Sequence, residues 1–299
     1  MRISFRQLSL FVATAQRQNI TQAAATLYLS QSAASMTLTQ LETQLGTLLF
    51  DRLGKKLVLN AAGKILLPKA VAMLDRLKEI ETLFDVSLKK NICGTLKISA
   101  STTIGNYLLP KMINQFMLEY PGVYIILEVT NTENIINQIQ KFDTDIGFVE
   151  GNCQEKDIST KIFAQDNMLL FCAPKNPLAK KKSLVLKDLK DSQWLLREKG
   201  SGTREITEHY FSTLLTPENI RAEITSSEAI KSMVQKNLTI SCLSTLILQE
   251  SLAAKKLIAL PLKHKAITRN FYQLTHKERY HSELMKLFLH YISAAATQK

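Results

Sequence analysis

No apolar run in this 299-residue sequence approaches the ~18–20 residues that a helix needs to cross a bilayer. The first turns are interrupted by Gln7, Gln16, Arg17 and Gln18, so no signal peptide is expected. Cysteine is scarce: Cys93, Cys153, Cys172 and Cys242 form no CxxC pair and no metal-like spacing, so reduced thiols in a cytoplasmic protein are expected. The five histidines make no HExxH or similar pattern, and no metal or cofactor is expected. Gxxxx-GK[ST] loops and GxSxG elbows are missing, which removes the sequence marks of an NTPase or an α/β-hydrolase. Acidic residues are also few, with Asp+Glu 26 against Lys+Arg 38, a net charge of +12 and an isoelectric point near 9.5. Such a balance favours polyanionic partners. With 45% hydrophobic residues the chain is an ordinary globular one, and at roughly 100–200 residues per domain it has room for two or three cores.

The charge is unevenly placed. Residues 1–74 carry Arg2, Arg6, Arg17, Arg52, Lys55, Lys56, Lys64 and Lys69 against Glu42 and Asp51, eight minus two, or +6 of the +12. The same segment reads as closely spaced helices. Ser4 and Gln7 form a capping box, behind which Leu8, Phe11, Val12 and Ala15 share one helical face. Thr21 is expected to cap a short second helix containing Ala23, Ala24 and Ala25. Tyr28-Leu29-Ser30 makes a turn, and Ser30 caps a third helix to about Gly46 with Ala34, Leu38, Leu41 and Leu45 inward. Its other face offers Gln31, Ser32, Ser35 and Thr39, residue types that can pair with base edges. Two short helices around a tight turn describe a helix-turn-helix. Residues 50–59 then read as a hairpin whose Arg52, Lys55 and Lys56 can lie along phosphates.

Asn60 is expected to cap a long helix over about 61–89. Along it Leu66, Ala70, Met73, Leu77, Ile80 and Phe84 repeat at spacings of 4 and 3, a seam suited to pairing with a second copy. Pro68 falls inside it and predicts a kink.

Leu10-Phe11, Thr21-Gln22-Ala23-Ala24, Leu27, Ser30-Gln31-Ser32-Ala33-Ala34-Ser35, Leu41-Glu42, Leu45-Gly46, Leu49-Phe50-Asp51-Arg52 and Leu59-Asn60-Ala61-Ala62-Gly63 run in order without gaps. Over these residues the chain resembles the LysR-type transcriptional regulators. Asn60 stands where the family usually has Thr, and Met36 where many members have Arg. Residues 30–46 hold no cation, so attraction to phosphate falls to the first helix, the wing and the start of the linker helix.

Beyond Cys93-Gly94, strand-like runs at 95–100, 123–130, 144–150, 168–173, 194–197, 220–225 and 239–243 alternate with helical runs near 107–120, 132–142, 203–215, 227–236 and 282–294. Such alternation predicts open, mostly parallel sheets with ligands at strand carboxyl ends. The resemblance implies a two-lobed, periplasmic-binding-protein-like effector domain. The expected class is therefore α/β overall. A winged helix-turn-helix occupies 1–60 and a linker helix 61–90. The effector domain covers 93–299, one lobe being 93–164 with 267–299 and the other 165–266.

Polar residues gather at the strand ends. Ser101, Thr102 and Thr103 follow the first strand; Ser201, Gly202, Thr203 and Arg204 open a helix after Arg197; Ser226 caps another. Hydroxyls beside helix N-termini can hold an anion, with Arg197 or Arg204 as countercharge. The run from Arg197 to Arg204 resembles a branch of the family associated with sulfur, carbon-fixation or related anionic metabolites. The expected function is a sequence-specific DNA-binding regulator controlled by a small anionic effector. Its expected partners are double-stranded DNA, RNA polymerase and further copies of itself, as a homodimer or a dimer of dimers. Three alternatives are an oxidation sensor using Cys153, an anion-binding enzyme or solute receptor, and a sequence-indifferent DNA binder.

Overall fold

The computed structural model describes residues 3–82, 92–151, 153–263 and 266–297. Helix α1 (Phe5–Arg17) starts at the expected capping box: Gln7 N donates to Ser4 Oγ at 3.2 Å, and Ser4 N to Gln7 Oε1 at 2.8 Å. Leu8, Phe11, Val12 and Ala15 are all buried. Helix α2 (Ile20–Thr26) corrects the cap assignment. Asn19, in extended backbone, accepts from the N–H groups of Thr21 and Gln22 at 2.9 and 3.1 Å, so Thr21 lies inside the helix. An amide oxygen one residue before the first helical φ reaches the orphan donors, and a hydroxyl at Thr21 has no such donors left to take. Helix α3 (Gln31–Leu45) is capped by Ser30 and ends at Gly46. Ala34, Leu38 and Leu41 are buried in the head's core, where the Phe11 and Phe50 rings meet at 5.6 Å.

Strands β1 (Phe50–Leu53) and β2 (Lys56–Leu59) form the antiparallel wing, tied to α1 by a bond from Leu57 N to Gln18 O at 2.9 Å. Asn60 closes the wing on helix α4 (Ala61–Thr82), accepting from Gly63 N at 2.9 Å and donating to Leu48 O at 2.8 Å. A Cβ on Gly63 would stand 2.2 Å from the Leu49 carbonyl oxygen, so the close approach of helix to wing demands glycine there.

The expected seam divides. Leu66 and Ala70 pack with Leu67 and Val71 into the head's own core, whereas Met73 and Ile80 are 48% and 61% exposed. Helix α4 runs unbroken through the buried Pro68. Phe84 and the expected helix end near Lys89 lie outside the described residues.

The remainder is built on a nine-stranded sheet. Its strands are β3 (Gly94–Ser101), β4 (Val123–Thr130), β5 (Ile146–Glu150), β6 (Ile158–Cys172), β7 (Trp194–Arg197), β8 (Ile220–Ile224), β9 (Ile240–Ser244), β10 (Ile258–Ala259) and β11 (Ile267–His276). They lie in the order β4-β3-β5-β11-β6-β9-β7-β8, with β10 on β6. Helices α5 (Leu109–Glu119), α6 (Thr132–Gln140) and α10 (Glu283–Thr297) accompany the β3 end. Helices α7 (Gly202–Phe211), α8 (Ser227–Lys236) and α9 (Thr245–Ala253) accompany the β8 end. Phe116, Phe148, Phe271 and Phe288 sit in the core of the first half; Trp194, Leu196, Phe211 and Ile240 sit in that of the second.

Pairing is parallel near each end, as expected, but the centre is not. Strands β6 and β11 run antiparallel along their length and join the two halves. The strand pattern missed β10, β11, the first part of β6 and, among helices, α9. Strand β11 buries Arg269, Gln273, Thr275 and His276 beside Ile267, Phe271 and Leu274, so polar and apolar residues share its inward positions and no apolar alternation marks it.

The head is fastened to the first half of the sheet. Phe142, at φ 58°, is buried in the head's apolar cluster; its carbonyl accepts from Gln16 Nε2 at 3.0 Å and its ring lies 4.2 Å from that of His276. On α4, Asp75 pairs with Arg279 at 3.3 Å and Glu79 accepts from the Tyr280 hydroxyl at 2.9 Å. Phe142→Ala removes a buried aromatic, a change that costs about 3–5 kcal/mol in well-packed sites. Thermal unfolding of the full chain should then begin at a lower temperature; an unchanged melting profile would contradict the fastening.

Candidate functional site

Two regions carry polar groups that the fold does not consume. The first is on the head. Gln31, Ser32, Ser35 and Thr39 are exposed on α3, opposite the buried Ala34, Leu38 and Leu41. The Ser32 hydroxyl meets that of Ser30 at 3.1 Å, so it is held beside the helix N-terminus. Arg52, Lys55 and Lys56 are exposed on the adjoining wing. Thr21 is exposed at the start of α2. The structure thus brings hydroxyl and amide groups beside a cationic hairpin, with Met36 of α3 and Leu53 of the wing exposed among them.

The second region lies where the two halves of the sheet meet. Ser101 ends β3, and Thr102 and Thr103 lead into a π-helical turn over 104–108. Ser201, Gly202, Thr203 and Arg204 open α7, and Ser226 caps α8. Ser101, Thr103, Ser201 and Thr203 are buried, and Thr102 is half-buried. The Ser226 hydroxyl accepts from Ala229 N at 3.3 Å and serves as an ordinary helix cap. Gly202 is a close approach: a Cβ would come within 2.2 Å of the Glu150 carbonyl oxygen. Glycine there lets the start of α7 press on the end of β5.

The two arginines expected as countercharge are already engaged. Arg204 bonds Glu208 at 2.6 Å, the Arg197 carbonyl at 2.9 Å and Glu223 at 3.5 Å. Arg197 pairs with Glu198 at 2.7 Å, and also donates to Ser227 at 3.1 Å and to Thr102 at 3.2 Å. The cation at the centre is one that sequence reasoning missed. Arg269, on β11, has a side chain 1% exposed. It donates from Nη1 to the Thr203 hydroxyl at 2.9 Å and from Nη2 to the Thr103 hydroxyl at 3.2 Å, and so spans both halves. Its Nε holds Asp166 Oδ2 at 2.7 Å, and Asp166 Oδ1 accepts from Ser244 at 2.7 Å. Because Thr103 and Thr203 accept from Arg269, their hydroxyl protons are left to donate. Burial pushes the Asp166 carboxyl above the ordinary carboxylate range, against the pull of Arg269. A charged residue inside an otherwise strand-like run was the one available sequence signal for Arg269.

Cys153 is buried, and burial pushes its thiol up. The thiolate that reacts with oxidants is thereby disfavoured, which weighs against the oxidation-sensing alternative. Among the described residues no cluster of His, Cys, Asp and Glu could hold a metal ion, and no helix is long and apolar enough to cross a membrane.

Comparison with known proteins gives this arrangement its family. Residues 5–64 match the bacterial regulatory helix-turn-helix protein model of the lysR family, and residues 89–297 match the LysR substrate binding domain. The chain belongs to the LysR family of transcriptional regulators. Its relatives include the uncharacterized HTH-type transcriptional regulator YeiE of Escherichia coli, 39% identical over 99% of both chains. Among solved structures, a single-substitution variant of full-length OxyR from Pseudomonas aeruginosa superposes with a TM-score of 0.75 at 22% identity, covering 99% of this chain and 95% of that one. The regulatory domain of CcmR from Synechocystis PCC6803, solved in complex with 2-PG, gives 0.63 at 29% identity over 68% of this chain and 97% of that one. As a LysR regulator the chain binds DNA through its helix-turn-helix and carries an effector-binding domain; it is not an enzyme.

The buried cluster makes a stability prediction. Arg269→Met would leave Glu150 and Asp166 without their shared cation, and breaking a buried ion pair from one side costs about 3–5 kcal/mol. Burial already raises the Asp166 carboxyl against the pull of Arg269, and without Arg269 it would rise further. The variant's folded state therefore takes up this proton at a higher pH than the wild type's, and the deficit shrinks as pH falls from the variant's raised value to the wild type's. Urea midpoints measured against pH should show a deficit that shrinks on acidification; a pH-independent deficit would contradict the assignment.

Proposed function

We propose that this LysR regulator reads its operator through Gln31, Ser32, Ser35 and Thr39, with Arg52, Lys55, Lys56 and Thr21 on the phosphates. The observation that carries this reading is the exposure of those α3 groups on a helix whose opposite side is fully packed. Glutamine can pair with adenine in two places at once, and serine with several base edges. The wing's cations add affinity without sequence preference.

The domain limits follow the same reading: head 1–60, linker 61–90 and effector domain 93–299, with lobes 93–164 plus 267–299 and 165–266. The exposed Met73 and Ile80, with the half-buried Leu77, form the part of α4 left for pairing with a second copy. A homodimer sets two heads on successive half-sites, and two dimers would make the tetramer. RNA polymerase is the partner through which such a complex acts on transcription.

The effector is a small anion held between the lobes by Ser101, Thr102, Thr103, Ser201, Gly202 and Thr203. Supporting this are the buried hydroxyls from both halves that meet at one guanidinium. Arg269 rather than Arg197 or Arg204 lies among these hydroxyls; its own charge is matched by Asp166, and the hydroxyl protons of Thr103 and Thr203 are what an anion would meet. Ser226 acts as a helix cap beside the site. An effector shifts the lobe arrangement only by binding one arrangement better than another. The relatives fit a metabolite-responsive role, the CcmR domain having been solved with 2-PG.

Gln31→Ala should weaken binding to the cognate operator by about 1–3 kcal/mol and to scrambled DNA much less. Fluorescence anisotropy on both duplexes at one salt concentration measures the difference. An equal loss on both would remove Gln31 from base reading.

A further inference from the structure

The polar cluster between the lobes is not evenly matched. Its donors are Arg269 and the hydroxyls of Ser101, Thr103, Ser201 and Thr203; its acceptors include the carboxylates of Asp166 and Glu150. Asp166 is satisfied on both oxygens, by Ser244 and by Arg269. Glu150 is 1% exposed, and its Oε1 is buried with no hydrogen-bond partner. The nearest cationic nitrogen, Arg269 Nη2, stands at 3.6 Å, too far for a hydrogen bond. Ser101 Oγ is likewise buried with no partner. Glu150 ends β5 and its backbone lies against Gly202, so this acceptor sits at the mouth of α7 among the donors.

The surrounding charges do not relieve it. Around the cluster, Arg197 is bound to Glu198, and Arg204 to Glu208 and Glu223. Glu205 on α7 reaches towards Gly151, the residue after Glu150. The Cys242 thiol on β9, pushed up to about 12 by burial, is neutral. A bare oxyanion presents only lone pairs to Glu150 Oε1, and two acceptors would face each other in a dry site. An oxyanion that retains a proton presents an O–H, and the contact becomes a short charge-assisted hydrogen bond.

We propose that Glu150 is a specificity-determining residue of the effector site, accepting a hydrogen bond from the effector. The cleft then selects small oxyanions that still carry a proton over fully ionised ones of the same shape. The inference rests on the reading that the effector anion binds between the lobes. A lone acceptor among donors discriminates strongly, because the wrong ligand leaves buried groups unpaired while the right one completes them.

Inorganic phosphate and sulfate test this, being alike in shape, while at neutral pH phosphate keeps an ionisable proton and sulfate keeps none. Calorimetric titration of the full chain at constant ionic strength should show phosphate binding at least about tenfold more tightly than sulfate. In Glu150→Gln an amide N–H replaces the lone acceptor and can face a bare oxyanion. Sulfate should gain and the preference should fall by about tenfold or more. Equal affinities in the wild type overturn the assignment of Glu150 while leaving the anion cleft standing, and so does an unchanged preference in Glu150→Gln. If the wild type binds neither anion, the cleft reading fails and the inference fails with it. The wild-type ratio remains a test should the variant not fold.

Discussion

The effector domain is organised around one buried guanidinium. Arg269 sits on a strand joining the halves of the sheet, and its hydrogen bonds go to Thr103 in one half and Thr203 in the other, with Asp166 as its ion-pair partner. A guanidinium offers five donors in a fixed plane, so it can fix three partners at once where a lysine would hold a point. Removing it would strand the carboxylates of Asp166 and Glu150 in a dry interior. In this arrangement the cluster still leaves Glu150 Oε1 and Ser101 Oγ buried without partners.

A path from that cluster to the DNA-reading face exists in the contacts. The first half of the sheet, which contributes Thr103 and Glu150, also contributes Phe142 to the core of the head. Arg279 and Tyr280, just after β11, hold Asp75 and Glu79 on α4. The strand that bears Arg269 therefore ends within a few residues of the grip on the linker helix. Burial raises the Asp75 carboxyl against the pull of Arg279, so this grip too lies in a partly dry environment. Lobe, linker helix and head are mechanically linked within one chain.

Much of the head could be read from the sequence. Caps, apolar spacing and the hairpin all depend on neighbours within a few residues, and Ser4, Ser30, Asn60 and the α3 face stand where local rules put them. Thr21 failed as a cap because Asn19, two residues earlier, is the better-placed acceptor. The seam on α4 was half legible: a 4-3 repeat looks the same whether it packs on its own head, as Ala70 does, or faces outward, as Ile80 does. In the effector domain the hydroxyl clusters were visible as strand-end residues. Arg269 was not, because strand β11 buries polar side chains among apolar ones and its apolar residues keep no period of two. Which arginine serves a cleft depends on pairing partners far apart in sequence, and only the fold brings Arg204 to Glu223 and Arg269 to Asp166.

The most direct test couples the buried cluster to the DNA-reading head. Operator affinity of the full chain should be measured with and without inorganic phosphate, for the wild type and for Thr203→Val. The valine keeps the side chain's shape and removes the hydroxyl that joins Arg269 to the second lobe. Phosphate should change the wild type's affinity, and Thr203→Val should lose that change. The same phosphate response in both proteins would mean that the cluster around Arg269 does not govern the head.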